Sequence, residues 1–336
     1  MKLLVTGGLG FIGSNFIRGY LARHPKDSIV NLDLCTYAGN PANLDGVRGG
    51  PRYAEIRGDI ADARAASRAM KGAAAVVHFA AESHVDRSIQ GSGAFLRTNA
   101  EGTRVLLEAA RAEGVERFLH VSTDEVYGSV ERGHSKETDR LAPRSPYAAS
   151  KAASDLLALS YFVTHKLPVL VTRASNNYGP RQHPEKALPL MVTNWLEGLP
   201  YPLYGDGKNV RDWLFVEDHC RAIELILRKG TPGEVYNVGG ERSCRNLELV
   251  ERVRAIMGVS ADLVRRVPDR PGHDRRYALD CSKLRKLGFK HSISFDEGLR
   301  RTVDWYRENR DWWMRTKRAQ SFQNYYRRQY AALGAR

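Results

Sequence analysis

Tyr147 and Lys151 stand four residues apart in Tyr147-Ala148-Ala149-Ser150-Lys151, a spacing that puts both side chains on one face of a helix. A tyrosine titrates near pH 10 (about 10 for the free side chain) and is a poor base at neutral pH unless a neighbouring cation stabilises its phenolate. Lys151 supplies that cation. Upstream, the apolar run Arg117–Ser122 ends in Ser122-Thr123-Asp124-Glu125, which places two hydroxyls and two adjacent carboxylates at the tip of one predicted strand. Neighbouring like charges push their pKa values apart, so one acid can stay protonated while the other acts as a base. A Tyr/Lys pair on a helix surface and a solvated acidic turn are the ordinary alternatives, and the nucleotide-binding pattern upstream weighs against both.

That pattern is Gly7-Gly8-Leu9-Gly10-Phe11-Ile12-Gly13, directly after an apolar strand and opening a helix. Glycines there let the backbone turn tightly and approach a pyrophosphate, while the helix N-terminus offers free amides and a favourable dipole. Asp33 ends the second predicted strand, where an acid binds the adenosine ribose hydroxyls and repels a 2′-phosphate. NAD is therefore the expected cofactor, in preference to NADP.

The elements that must position these groups follow an α/β alternation. Strands are predicted at Lys2–Thr6, Ser28–Leu32, Tyr53–Arg57, Ala75–Phe79, Arg117–Ser122 and Pro168–Arg173, with helices at Phe11–Arg23, Asn99–Glu113 and Pro146–His165. Right-handed crossovers of this kind build a doubly wound parallel sheet of Rossmann type. After Arg173 the pattern turns irregular, punctuated by Pro180, Pro184, Pro189, Pro200 and Pro202. The expected division is a cofactor domain over 1–173, joined again by 213–240, and a smaller C-terminal substrate lobe from 174–212 and 241–336. The basic, aromatic end from Arg315 to Arg336 is expected as a surface helix.

Composition bounds the rest. With 42% hydrophobic and 27% charged residues the chain is an ordinary soluble globular type. No apolar run approaches the ~20 residues of a membrane helix. Met1 leads into Leu3-Leu4-Val5 without a basic leader, so no signal peptide and a cytoplasmic location are expected. Cys35, Cys220, Cys244 and Cys281 are too scattered for a zinc site or disulfide framework, and no metal is expected. A net charge of +14 is spread over arginines without a nucleic-acid motif, so it suits an anionic small substrate better than a nucleic acid.

The run Val121-Ser122-Thr123-Asp124-Glu125-Val126-Tyr127-Gly128 closely resembles the dTDP-glucose 4,6-dehydratase family, a branch of the NAD-dependent extended short-chain dehydrogenases/reductases. Epimerases of that fold usually carry small residues where Asp124-Glu125 stand. The resemblance extends from Lys2 to about Trp313 and includes the fourth-strand run His78 to Ser88, Asn176-Asn177-Tyr178-Gly179-Pro180, and Asp269-Arg270-Pro271-Gly272-His273. It departs mildly: the family's usual Tyr-Ser-Ala-Ser-Lys reads Tyr-Ala-Ala-Ser-Lys, and Leu34 follows Asp33 where a lysine is frequent.

The resemblance implies that Gly7, Gly10, Phe11, Ile12, Gly13, Asp33, Leu34, Cys35, Thr36, Asp59, Ile60, Phe79, Ala80, Ala81, Ser83, Thr98 and Asn177, with Tyr147 and Lys151, hold NAD. It implies further that Ser83, His84, Thr123, Asn176, Lys186, Leu188, Pro202, Leu203, Tyr204, Arg211, Asn246, Asp269, Arg270 and His273 surround a nucleotide-sugar substrate, dTDP-glucose. The reaction implied is C4 oxidation, loss of water across C5 and C6, and return of the hydride to C6. Thr123, Asp124, Glu125, Tyr147 and Lys151 are the expected catalytic residues, Glu125 as the C5 base and Asp124 as the acid that protonates the leaving hydroxyl. A homodimer is implied by the resemblance alone.

Overall fold

The computed structural model describes residues 1–331. Strand β1 (Lys2–Thr6) has Leu3, Leu4 and Val5 wholly buried, as a strand covered on both faces must be. It is joined by β2 (Ser28–Asp33), β3 (Tyr53–Arg57), β4 (Ala75–His78), β5 (Arg117–Thr123) and β6 (Val169–Ala174). Three strands outside the main sheet follow, β7 (Asn176–Tyr178), β8 (Tyr201–Tyr204) and β9 (Val210–Phe215), before β10 (Val235–Val238) returns to it. The seven-stranded order is β10-β6-β5-β4-β1-β2-β3, and all six pairings are parallel. The order reverses between β1 and β4, so a crevice opens at their carboxyl ends, where open α/β sheets bind ligands.

Helices cover both faces. Phe16, Ile17 and Tyr20 of helix Phe11–Arg23 pack with Ile223 and Ile226 of helix Val216–Lys229 on one side. Ala66 and Ala69 of helix Ala63–Met70, Leu106 and Ala110 of helix Thr103–Glu113, and Ala158 of helix Pro146–His165 pack on the other. That last helix starts where its sequence says: the Ser145 hydroxyl accepts the Ala148 N–H at 3.1 Å and Pro146 occupies the first turn.

The remaining strands form two small sheets, β11 (Ser243–Arg245) with β9 and β7, and β12 (Val264–Val267) with β8. They cluster with Tyr178, Trp195, Trp213, Tyr306 and Trp313 in a separate aromatic core.

Two expectations need correction. The helix expected from Asn99 begins as a wide π-turn, Leu96–Gly102, and becomes α-helical only at Thr103. Asn99 there accepts the Glu82 N–H and donates to the Glu82 carbonyl and to Ser150 Oγ, all at 2.8–2.9 Å, a set of ties that an ordinary turn would have to break. The basic end, expected as a surface helix, folds as helices Arg310–Arg318 and Gln320–Tyr326 with one face turned inward. Phe322, Tyr325 and Tyr330 are only 3–5% exposed and join the lobe core, while Arg318, Ser321, Asn324, Arg327 and Arg328 face water. Residues 332–336 lie outside the described part. No helix among the described residues is long and apolar enough to cross a membrane.

Candidate active site

The glycine turn after β1 admits no side chain. Gly7 has φ +72°, and a Cβ there would come within 2.6 Å of the Ala80 amide nitrogen; at Gly13 it would meet the Gly7 carbonyl at 2.4 Å. No side chain caps the helix that starts at Phe11, which leaves its first amides for a ligand. Asp33 clamps the turn, accepting Leu9 N–H at 2.8 Å and Cys35 N–H at 2.7 Å. Burial pushes its carboxyl up, against these two bonds. Asn31, which sequence reasoning passed over, accepts the Gly8 N–H at 2.9 Å. A phosphate-sized space above free amides, with an acid beside it, fits a dinucleotide.

A cleft of about 320 Å3 runs from this cradle over the ends of β4, β5 and β6. Every expected cofactor residue lines it except Cys35, whose backbone N–H is held by Asp33 and whose thiol points to the Gly39 carbonyl. Asp59 lies at the far end, tied to Arg97 at 2.5 Å. Thr98 reaches the wall from the π-turn.

At the other end Tyr147 and Lys151 enter from helix Pro146–His165. The Lys151 ammonium donates to the Val121 carbonyl at 2.8 Å and lies 3.5 Å from His120 Nε2. Burial lowers its pKa to about 8, with Asp155 opposing. Tyr147 is pushed well above a free phenol by burial and by Glu125, while a hydrogen bond from Thr123 opposes the rise. Beneath them Asp155 accepts Arg173 Nε at 2.9 Å and sits 3.4 Å from His120. This support was legible only as an acid one turn beyond Lys151.

Asp124 and Glu125 begin a short 3-10 turn, capped by Thr123, whose Oγ1 accepts the Glu125 N–H at 3.3 Å. Asp124 is 3% exposed and stands between Thr123 and Glu125, which both line the cleft. Its Oδ1 accepts the Thr123 Oγ1 hydroxyl at 3.3 Å, and Oδ2 has no hydrogen-bond partner among the described residues. Burial first, then Glu125, raises its carboxyl well above its ordinary value, which favours the protonated form. Glu125 lines the cleft. Burial raises it too, but the charges of Arg270, Lys186 and Arg211 pull it back. One of the two acids can thus donate and the other accept.

The expected substrate residues fall in two groups. Ser83, His84, Thr123, Asn176 and Lys186 line the cleft; the Asn176 Oδ1 is buried without a partner, and Lys186 holds the Ser83 carbonyl at 2.7 Å. Leu188, Pro202, Leu203, Tyr204, Arg211, Asn246, Asp269, Arg270 and His273 belong to the lobe, outside that wall. Leu188 and Leu203 are core residues, 1% and 2% exposed. Arg211 stacks 4.3 Å over Tyr277 and donates to the Asp274 carbonyl, and His273 meets Asp269 at 2.6 Å. Asn246 opens helix Asn246–Met257. Missed from sequence are Tyr37, Gln182 and His219 in the cleft wall, and Glu185, which is paired with Arg87 at 2.5 Å.

A glycine cradle, an acid after the second strand and a Tyr/Lys pair over a parallel sheet define a dinucleotide-dependent enzyme of the extended short-chain dehydrogenase/reductase class. The family model described as GDP-mannose 4,6 dehydratase matches residues 4–302. A dTDP-glucose 4,6-dehydratase of Streptomyces antibioticus is 55% identical over 319 residues, 93% of this chain and 94% of the relative. The structure of DesIV, a dTDP-glucose 4,6-dehydratase from Streptomyces venezuelae with NAD and TYD bound, superposes with a TM-score of 0.93 at 53% identity, covering 94% of this chain and all of the other. A dTDP-glucose 4,6-dehydratase from Bacillus anthracis in complex with NAD gives a TM-score of 0.88 at 45% identity, again over 94% of this chain and 100% of the neighbour. The chain belongs to the dTDP-glucose 4,6-dehydratase family.

Proposed function

We propose that this chain converts dTDP-glucose to dTDP-4-keto-6-deoxyglucose and water. The observation that carries the proposal is the adjacent pair of carboxyls, Asp124 buried and Glu125 in the cleft wall, at the carboxyl end of β5 beside Tyr147 and Lys151; burial favours the proton on Asp124, while the charges of Arg270, Lys186 and Arg211 oppose it on Glu125. An epimerase needs Tyr147 and Lys151 but has no use for the two acids.

Gly7, Gly10 and Gly13 would hold the pyrophosphate of NAD, Asp33 a ribose, and Asp59 and Ile60 the adenine, with Ala80, Ala81, Ser83, Thr98 and Asn177 along the rest. Bound there, NAD+ would supply the transient oxidation, as acceptor and then donor of the hydride exchanged between C4 and C6. Tyr147 receives the C4 hydroxyl proton, and Lys151 stabilises the phenolate. Thr123 orients the C4 oxygen. Once C4 is a ketone the C5 proton is acidic, and Glu125 takes it. Hydroxide leaves poorly, so Asp124 protonates the C6 oxygen as water departs, and the proton held by Glu125 returns to C5 when hydride is restored at C6.

Residues 1–173 with 213–240 act as the cofactor domain, and 174–212 with 241–336 as the nucleotide-sugar lobe. The chain works as a homodimer: Leu156 and Val163, 59% and 64% exposed on helix Pro146–His165, are apolar side chains that a partner helix would cover. A cytoplasmic location is supported by four free cysteines.

The purified protein, incubated without added NAD, is expected to remove one water from dTDP-glucose, read by mass, and to leave UDP-glucose and GDP-mannose intact. Reaction of another nucleotide sugar in place of dTDP-glucose overturns the substrate assignment.

A further inference from the structure

Asp86, in the first turn of helix Val85–Gln90, is 5% exposed and accepts three hydrogen bonds from three separate parts of the lobe. Its Oδ1 takes Arg270 Nη1 at 3.0 Å. Its Oδ2 takes the hydroxyls of Tyr204 at 3.2 Å and Tyr325 at 3.3 Å. Burial pushes this carboxyl up, but Arg270 and the hydrogen bonds outweigh it and keep Asp86 charged.

The donors are held in turn: Gln329 Nε2 donates to the Tyr204 hydroxyl at 2.7 Å, and the Arg87 guanidinium lies 4.6 Å over the Tyr325 ring. Arg270 comes from the irregular stretch after β12, between Pro268 and Pro271, where nothing in the backbone fixes a long side chain. A free arginine carries about 2 kcal/mol of rotamer entropy, and a carboxylate that fixes one end of the fork removes that cost before a ligand arrives. Apart from Nη1, the Arg270 guanidinium has no hydrogen-bond partner among the described residues. Its charge bears on Glu125.

We infer that Asp86 is a positioning residue: through its hydrogen bonds to Arg270, Tyr204 and Tyr325, it presets the Arg270 fork for the diphosphate of the nucleotide sugar and makes the C-terminal segment part of the substrate site. This rests on the proposed dTDP-glucose substrate and on the place the family resemblance gives Arg270 beside it. Asp86 does not line the cleft. It acts on diphosphate affinity, not on the chemical step.

The test is equilibrium binding of dTDP and of thymidine to the NAD-loaded enzyme, with steady-state kinetics on dTDP-glucose. Asp86→Asn is expected to weaken dTDP about 10-fold and raise KM similarly, with thymidine affinity and kcat unchanged within about 2-fold. Tyr325→Phe, which removes one donor and leaves the carboxylate, is expected to weaken dTDP about 3-fold with the same selectivity; it decides the matter if Asp86→Asn does not fold. Equal loss of dTDP and thymidine, or loss of neither in these variants while Arg270→Gln still weakens dTDP, overturns the positioning role alone. If Arg270→Gln also leaves dTDP affinity unchanged, the phosphate assignment of Arg270 falls, and the positioning role with it.

Discussion

Arg173 donates its Nε–H to the Asp155 carboxylate at 2.9 Å, the two side chains being 4% and 0% exposed, in the layer directly beneath Lys151. One end of β6 and the middle of helix Pro146–His165 are thereby locked together where the catalytic lysine needs a nearby negative charge. Asp155 opposes the effect of burial on Lys151, which otherwise favours the neutral amine.

Asp155→Asn breaks a buried pair and leaves Arg173 uncompensated, an error that costs about 3–5 kcal/mol. Denaturant titration is the measurement. In whatever variant folds, Lys151 loses the group that keeps its pKa up near about 8. Its charged form then disappears at lower pH, so the alkaline limb of the kcat profile should move toward neutrality. An unmoved limb would show that Asp155 is structural only.

Asp124 has the opposite kind of environment. A carboxyl whose folded pKa is raised makes the native state hold its proton more tightly than the unfolded chain does. The sign follows: stability falls as pH rises above the unfolded value near about 4, and at lower pH both states are protonated and the penalty vanishes. Asp124→Asn should therefore be more stable than the parent at pH 7, with the gap closing on acidification, as thermal midpoints against pH would record. The same variant should lose about 10²–10⁴ in kcat, because the acid for the leaving hydroxyl is gone. A variant both less stable and fully active would contradict the assignment.

Gly13→Ala tests the cradle. The added Cβ meets a backbone carbonyl at 2.4 Å, a contact that no flexible side chain can relieve. Purified Gly13→Ala should carry little NAD, measured by release on denaturation, while its far-UV circular dichroism stays that of the parent. Retention of the parent's cofactor content would remove this turn from the pyrophosphate site.

Trp313 is wholly buried in the lobe core, its indole N–H donating to the Tyr306 carbonyl at 2.8 Å. Trp313→Ala should cost about 3–5 kcal/mol. Because the Asp86 hydrogen bonds draw on the same C-terminal segment, KM should rise in the folded fraction before kcat falls.

Much of this was legible without coordinates, for local reasons. The glycine turn, the acid closing β2 and the Tyr/Lys spacing are chemistry written over a few consecutive residues, and helices Phe11–Arg23 and Pro146–His165 end where their caps and periodicity end. A doubly wound parallel sheet follows from the strand–helix alternation and one handedness, whereas the order β10-β6-β5-β4-β1-β2-β3 came only with the structure. Contacts between distant segments were not legible. Nothing in the run Ser83 to Ser88 says that Asp86 will meet Arg270, 184 residues on, and Tyr325, 239 residues on. Nor does local sequence separate Asp124 from Glu125, two adjacent acids of which only one is sealed from water. The aromatic end showed its charge but not its destination: Phe322, Tyr325, Tyr326 and Tyr330 fall at helical spacing, yet only the lobe supplies the core that receives that face. Sequence set the identity of the reacting groups; burial, which depends on what the rest of the chain lays over each of them, set their protonation and their aim.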